Sequence, residues 1–166
     1  MRKELKALQT KLNKLTPEYL MRVLKADKAY NAFVISMNRS EQLAEDGVDI
    51  SGKKLHSDYA PLGQAYARNT ILGTNEYKGK IDKSGLAGVT DHVTLFDTGA
   101  FYKSFKLVLT SEFDLQLIAN DVNDLEGTWG KVIGLTDENY KRAIERGQEI
   151  LRNYVHEQLT ELGIAA

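Results

Sequence analysis

The sequence predicts a helix-rich α+β fold: N-terminal helices, a loop-rich middle, a short antiparallel β-hairpin and a long C-terminal helix. Three observations carry this prediction. Apolar residues recur at helical spacing at both ends of the chain. Two runs between residues 105 and 119 alternate apolar and polar side chains, the period of a strand with one buried face. Eight of the thirteen glycines fall between residues 47 and 99, where no regular period is visible. Helices, then loops, then strands, then a helix is an α+β order.

Leu5, Leu8, Leu12 and Leu15 are spaced 3, 4 and 3, which puts them on one stripe of a helix. The stripe is expected to pack on the chain's own core. A coiled-coil seam is the alternative, and the four leucines are interface candidates. Thr16-Pro17-Glu18 reads as a helix start, with Thr16 as N-cap and Pro17 at the first helical position. Leu20, Val23, Leu24, Tyr30, Phe33 and Val34 give the following helix an apolar face, and Gly47 is expected to end it. These helices make an N-terminal region, 1–46, and the rest an α+β region, 47–166.

Within 47–99, Ser51-Gly52 and Lys83-Ser84-Gly85 mark turns, and Pro61 to Asn69 suits a short helix. Gly73 to Gly88 has too few apolar residues to build a core, so an extended loop is expected over 73–92. Phe105, Leu107 and Leu109 then alternate with Lys106, Val108 and Thr110. After Ser111-Glu112, Phe113, Leu115, Leu117 and Ala119 alternate with Asp114 and Gln116, completing the hairpin. Trp129 sits between Gly127 and Gly130, which predicts a loop with Trp129 in the core; an interface role is its alternative. Thr136 is an N-cap candidate, with Asp137 and Glu138 at the positive end of the helix dipole. From Tyr140, Ala143, Ile144 and Gly147 to Leu159 and Leu162 a helical stripe runs to the end of the chain.

At 166 residues the chain suits one domain with helical extensions and needs no staple to fold. It has no cysteine, which excludes disulfides and thiolate chemistry. No run approaches the roughly 20 apolar residues of a membrane helix, and the N-terminus is no signal peptide, so a soluble cytoplasmic product is expected. Net charge is −1, unevenly spread. Residues 1–30 carry +5 and residues 111–166 carry −6. Opposite ends of this kind would attract each other between copies. His56, His92 and His156 lie far apart in sequence, and neither a P-loop nor GxGxxG is present. No metal, cofactor or catalytic set is therefore expected.

One motif invites a catalytic reading. Leu95-Phe96-Asp97-Thr98-Gly99-Ala100 resembles the active-site loop of retroviral-type aspartic proteases, and Val132-Ile133-Gly134-Leu135 resembles a later pattern of that family. There, two carboxylates about 3 Å apart share one proton across a dimer axis. The context disagrees. Helices precede the motif, no Gly-rich flap follows it, and the span to Val132 is too short for the family's barrel. The structural alternative reads Asp97-Thr98-Gly99 as a helix start. Asp97 or Thr98 would cap, and Ala100 to Ser104 would form a short helix that delivers Phe105 into the first strand. Phe96, Phe101 and Phe105 would then share a core.

A second resemblance covers more of the chain. Asp97-Thr98-Gly99 followed by Phe101, Ser104 and Phe105 is similar to a segment of the bacteriophage tail-completion, or virion-morphogenesis, family. Upstream, Asp49, Gly52, Tyr59, Pro61-Leu62 and Tyr66 resemble another of its segments, although that segment's tryptophan is missing here. The spacer from Asn75 to Gly99 and the late Val132-Ile133-Gly134-Leu135-Thr136 also match in order. Neck ring proteins of crAss-like short-tailed phages are the members to compare first. The resemblance implies a non-enzymatic virion subunit, assembled in the host cytoplasm into a homo-oligomeric ring. Its partners would be the portal and other neck or tail proteins, with transient contact to passing DNA. It would need no membrane and no small-molecule substrate. A small DNA-binding protein using the basic N-terminus is the remaining alternative, although a pI near 6.3 lacks the broadly basic surface of that class.

Overall fold

The computed structural model describes residues 2–55, 95, 99–112, 114–121 and 124–161, and the side chains of these except 2–5 and 7. The expected helix at Pro61–Asn69, the loop 73–92, His56, His92, Phe96, Asp97 and Thr98 lie outside the described residues. The fold is α+β. Helix α1 (Arg2–Leu12) runs through a 3₁₀ turn (Asn13–Leu15) to α2 (Pro17–Ala26) and α3 (Lys28–Ser36), and a π-helical stretch follows (Met37–Glu45). The second part holds α4 (Ala100–Ser104), strands β1 (Lys106–Leu109) and β2 (Leu115–Ile118), α5 (Leu125–Trp129) and α6 (Asp137–Thr160).

Caps set the helix starts. The Thr16 hydroxyl accepts from the Tyr19 N–H, with Pro17 in the first turn, as the sequence predicts. A single helix from there to Gly47 does not form, because Asp27 divides it. Its backbone N–H donates to Val23 and Leu24 carbonyls and closes α2, while its carboxylate accepts from Tyr30 N–H at 2.8 Å and opens α3. An aspartate side chain offers the backbone this alternative to a continuous ladder. Beyond Ser36 the turns widen: Asp46 N–H donates to the Glu41 carbonyl, five residues back, at 2.8 Å. Gly47, at φ 59°, ends the helix where expected.

β1 and β2 pair antiparallel, Leu107 opposite Leu117 and Leu109 opposite Leu115. Thr110 and Asp114 bond across the turn: Thr110 N–H donates to the Asp114 carbonyl, and Asp114 N–H to the Thr110 hydroxyl. α6 starts at Thr136, whose hydroxyl accepts from Asn139 N–H. Its buried face is Asn139, Ala143, Gly147 and Gln158. Two residues expected on that face are not buried: Tyr140 is 59% and Ile144 40% exposed. The helix packs too closely for large residues there. A Cβ at Gly147 would lie 3.3 Å from the Tyr30 hydroxyl and 3.5 Å from Leu24. Small residues take the line of closest approach, and the bulky ones sit at its margin.

Two hydrophobic clusters form the core. The first joins Leu43, Ala44, Leu55, Tyr102, Phe105 and Val132. The second joins Leu24, Tyr30, Val34, Met37, Leu107 and Ala143. Each mixes residues from both sides of position 47, so packing is shared across that boundary.

Candidate functional site

Gly99 occupies the N-cap place of α4 at φ 75°, a left-handed conformation that favours glycine, and its carbonyl accepts from Lys103 N–H at 3.0 Å. A helix therefore follows the Asp-Thr-Gly motif directly, but its N-cap is Gly99 and not Asp97 or Thr98 as expected. Phe101 is half-buried and meets Phe105 edge-on at 5.0 Å. The Ser104 hydroxyl donates to the Phe101 carbonyl at 2.6 Å and accepts from Asn120 N–H at 2.8 Å. That fastens α4 to the residues after β2. Burial holds the Tyr102 hydroxyl well above the ordinary tyrosine pKa, against the pull of nearby Arg39.

The motif segments come together. The Asp49 carboxylate accepts from Ser51 N–H, Ser51 hydroxyl and Lys53 N–H at 2.6–2.9 Å, building the turn at Gly52. Ile50 N–H donates to the Lys131 carbonyl at 2.9 Å. Leu55, Tyr102 and Val132 then share the first cluster. So the segments around 48–55, 99–104 and 132–136 are neighbours in space.

A buried amide clamp holds the last of them. Asn38 and Gln42 are both fully buried. Asn38 Nδ2 donates to the carbonyls of Val132 (3.1 Å) and Gly134, and Gln42 Nε2 donates to Gly134 at 3.2 Å. Gln42 Oε1 accepts from Thr136 N–H at 3.0 Å, and Asn139 Nδ2 donates to the Met37 carbonyl at 3.3 Å. Arg142 bridges Asn139 and Glu41 at the surface. No motif in the sequence marks these amides as a pair. Their signal was two polar residues four apart, each beside a buried apolar neighbour, Met37 or Leu43. The Glu126 carboxylate fixes the same segment by accepting from Val132 and Ile133 N–H at 3.1 Å.

Trp129 ends α5 and packs, half-buried, against the first cluster. The loop expected there is a short helix, because Asp121 accepts from Leu125 and Glu126 N–H and caps it. The leucine stripe is less covered than expected. Leu8 is 38% and Leu12 47% exposed, Leu15 is half-buried, and the Leu5 side chain lies outside the described set. Leu8 and Leu12 are therefore not buried as the expected packing on the chain's own core would have them. Lys11 holds this end of the chain, its Nζ 3.1 Å from the Glu161 carbonyl and 3.4 Å from the Glu161 carboxylate.

Between the hairpin and α6 lies an open groove of about 610 Å³, lined chiefly by apolar residues including Leu24, Leu107, Leu115, Tyr140, Ile144 and Leu151. Among its described lining residues Asp114 is the charged one. Among the described residues no three His, Asp or Glu converge as metal ligands, and no helix is long and apolar enough to cross a membrane. Comparison with protein-family models, curated proteins and solved structures found no match to this chain.

Proposed function

We propose that the chain is a structural subunit of a bacteriophage virion. Its copies form a ring in the head–tail connector, the neck or the tail terminus, which joins portal to tail and lets DNA pass. The supporting observation is the ordered series of motifs, three of whose segments pack together through Leu55, Tyr102 and Val132. These residues serve packing, as a structural subunit would use them. The partners in this reading are further copies, the portal and other neck or tail proteins, and its place is the virion. It calls for no cofactor, metal or small-molecule substrate. The exposed Leu8 and Leu12 and the opposite charges of the two ends suit contacts between copies.

Native mass spectrometry and negative-stain imaging of the concentrated wild-type chain test this. A closed cyclic oligomer is the expected result, and a strict monomer at every concentration overturns it. The +5 charge of residues 1–30 favours one other reading, a small DNA-binding protein. Tight, salt-dependent binding of duplex DNA by the monomer would select that reading; the ring subunit is expected to bind DNA only weakly.

A further inference from the structure

Among the described residues two apolar features keep exposed side chains, Leu8 and Leu12 on one and Tyr140 and Ile144 on the other, and their chemistry is complementary. One is the α1 stripe, where Leu8 and Leu12 stand exposed one turn apart. Five Lys/Arg (Arg2, Lys3, Lys6, Lys11, Lys14) and one acid (Glu4) surround it in sequence. The other is the groove between the hairpin and α6. Among the described residues that line it, Asp114 is the charged one and none is a cation. Exposed Asp137, Glu138 and Glu145 lie on the turns of α6 that carry Tyr140 and Ile144. Among the described residues of those turns Lys141 opposes them, while Arg142 pairs with Glu41 and Arg146 with Glu149. A chain's own α1 is tethered elsewhere, by Lys11 to Glu161 beyond the last turn of α6.

We infer that α1 of one copy docks its leucine stripe into the hairpin–α6 groove of the next copy. The occupant is a second copy of this chain, because α1 is itself an amphipathic basic helix, while the groove's wall carries Asp114 and the same turns of α6 carry exposed acids. The mode is helix in groove, with Leu8 and Leu12 as anchors seated against Ile144 and Tyr140, and the α1 lysines facing Asp114 and the α6 acids. Donor and acceptor surfaces differ, so the contact is heterologous. Repeated head to tail, it closes into a ring or continues as a filament, according to the rotation per copy. The inference deepens the ring-subunit reading and rests on it for the partner.

The absence of cysteine makes a clean test. Leu12→Cys and Ile144→Cys are both at exposed positions, so each full-length variant should fold. The two are mixed at equal amounts under mild oxidation and resolved without reductant. The expected product is the mixed disulfide dimer, exceeding either homodimer roughly tenfold, and adding Leu8→Lys to the Leu12→Cys chain removes that excess. Comparable yields of all three dimers, as random collision gives, overturn the docking. So does a dominant Leu12→Cys homodimer, which would show α1 pairing with α1. The two readings fail separately. Wild-type rings together with equal dimer yields would sink the docking alone. A monomeric wild type together with a dominant mixed dimer would sink the ring alone.

Discussion

Gln42 shows how much one side chain holds. Its amide donates to the Gly134 carbonyl and accepts from Thr136 N–H, bonding the stretch that leads into α6 on both sides. Gln42→Leu keeps the bulk and loses both bonds. It is expected to cost about 1–3 kcal/mol in urea unfolding, the range for buried polar groups left without a partner. Tyr102 sets a limit at high pH. Its pKa is raised chiefly by burial, and that of Tyr30 is raised by burial and then by Tyr140. Above the ordinary tyrosine value of 10.0, the unfolded chain releases these protons while the folded chain keeps them. Their stability is therefore fully present below about pH 10 and declines as pH rises beyond it. Tyr102→Phe should flatten the fall in urea midpoint between about pH 9 and pH 11. An equally steep fall in that variant would assign the effect to other groups.

At the scale of elements, α1 and α2 follow each other directly yet differ in kind. α2 buries Leu24 against Gly147 of α6, whereas Leu8 and Leu12 of α1 stay exposed. Leu24→Ala is expected to cost about 2–5 kcal/mol, as large-to-small core changes do. Deleting residues 2–12 should change stability by less than about 1 kcal/mol, since the Lys11–Glu161 pair is partly solvent-exposed and such pairs contribute little. Equal losses for the two variants in thermal melts would mean that α1 belongs to the core. Elements also mark where the sequence was readable. Thr16 and Thr136 announced their helices correctly, because a cap is a local bond between a side chain and a nearby N–H. Asp27 carries the same signal, but the apolar spacing on either side of it suggested one unbroken helix. The π-helical turns had no local signal. They place Asn38, Gln42 and Leu43 inward together, and only the segment at Val132–Thr136 gives Asn38 and Gln42 partners.

At the scale of the molecule, the two clusters couple the N-terminal helices to the hairpin and α6. Tyr30 of α3 reaches the carbonyl of Ala143, and Leu43 packs with Tyr102 and Val132. One cooperative transition is expected, with Trp129 fluorescence and far-UV circular dichroism sharing a midpoint. A fragment of residues 47–166 should not fold alone; a sharp melt from that fragment would contradict the shared core.

By itself the sequence determined the α+β class, the hairpin, the start of α6, the end of the N-terminal helices at Gly47 and the helix after Asp97-Thr98-Gly99. Each follows from period, cap or turn chemistry acting over a few residues. Tertiary structure decided which apolar faces are covered. The spacing of Leu8 and Leu12 resembles that of core leucines, and Tyr140 and Ile144 sit on a regular stripe. Whether such a face is buried depends on what the rest of the chain brings against it. Ala143 and Gly147 take the close contact of α6, while Leu8 and Leu12 of α1 stay partly exposed. The groove and the amide clamp are likewise products of distant segments meeting, which no local pattern encodes.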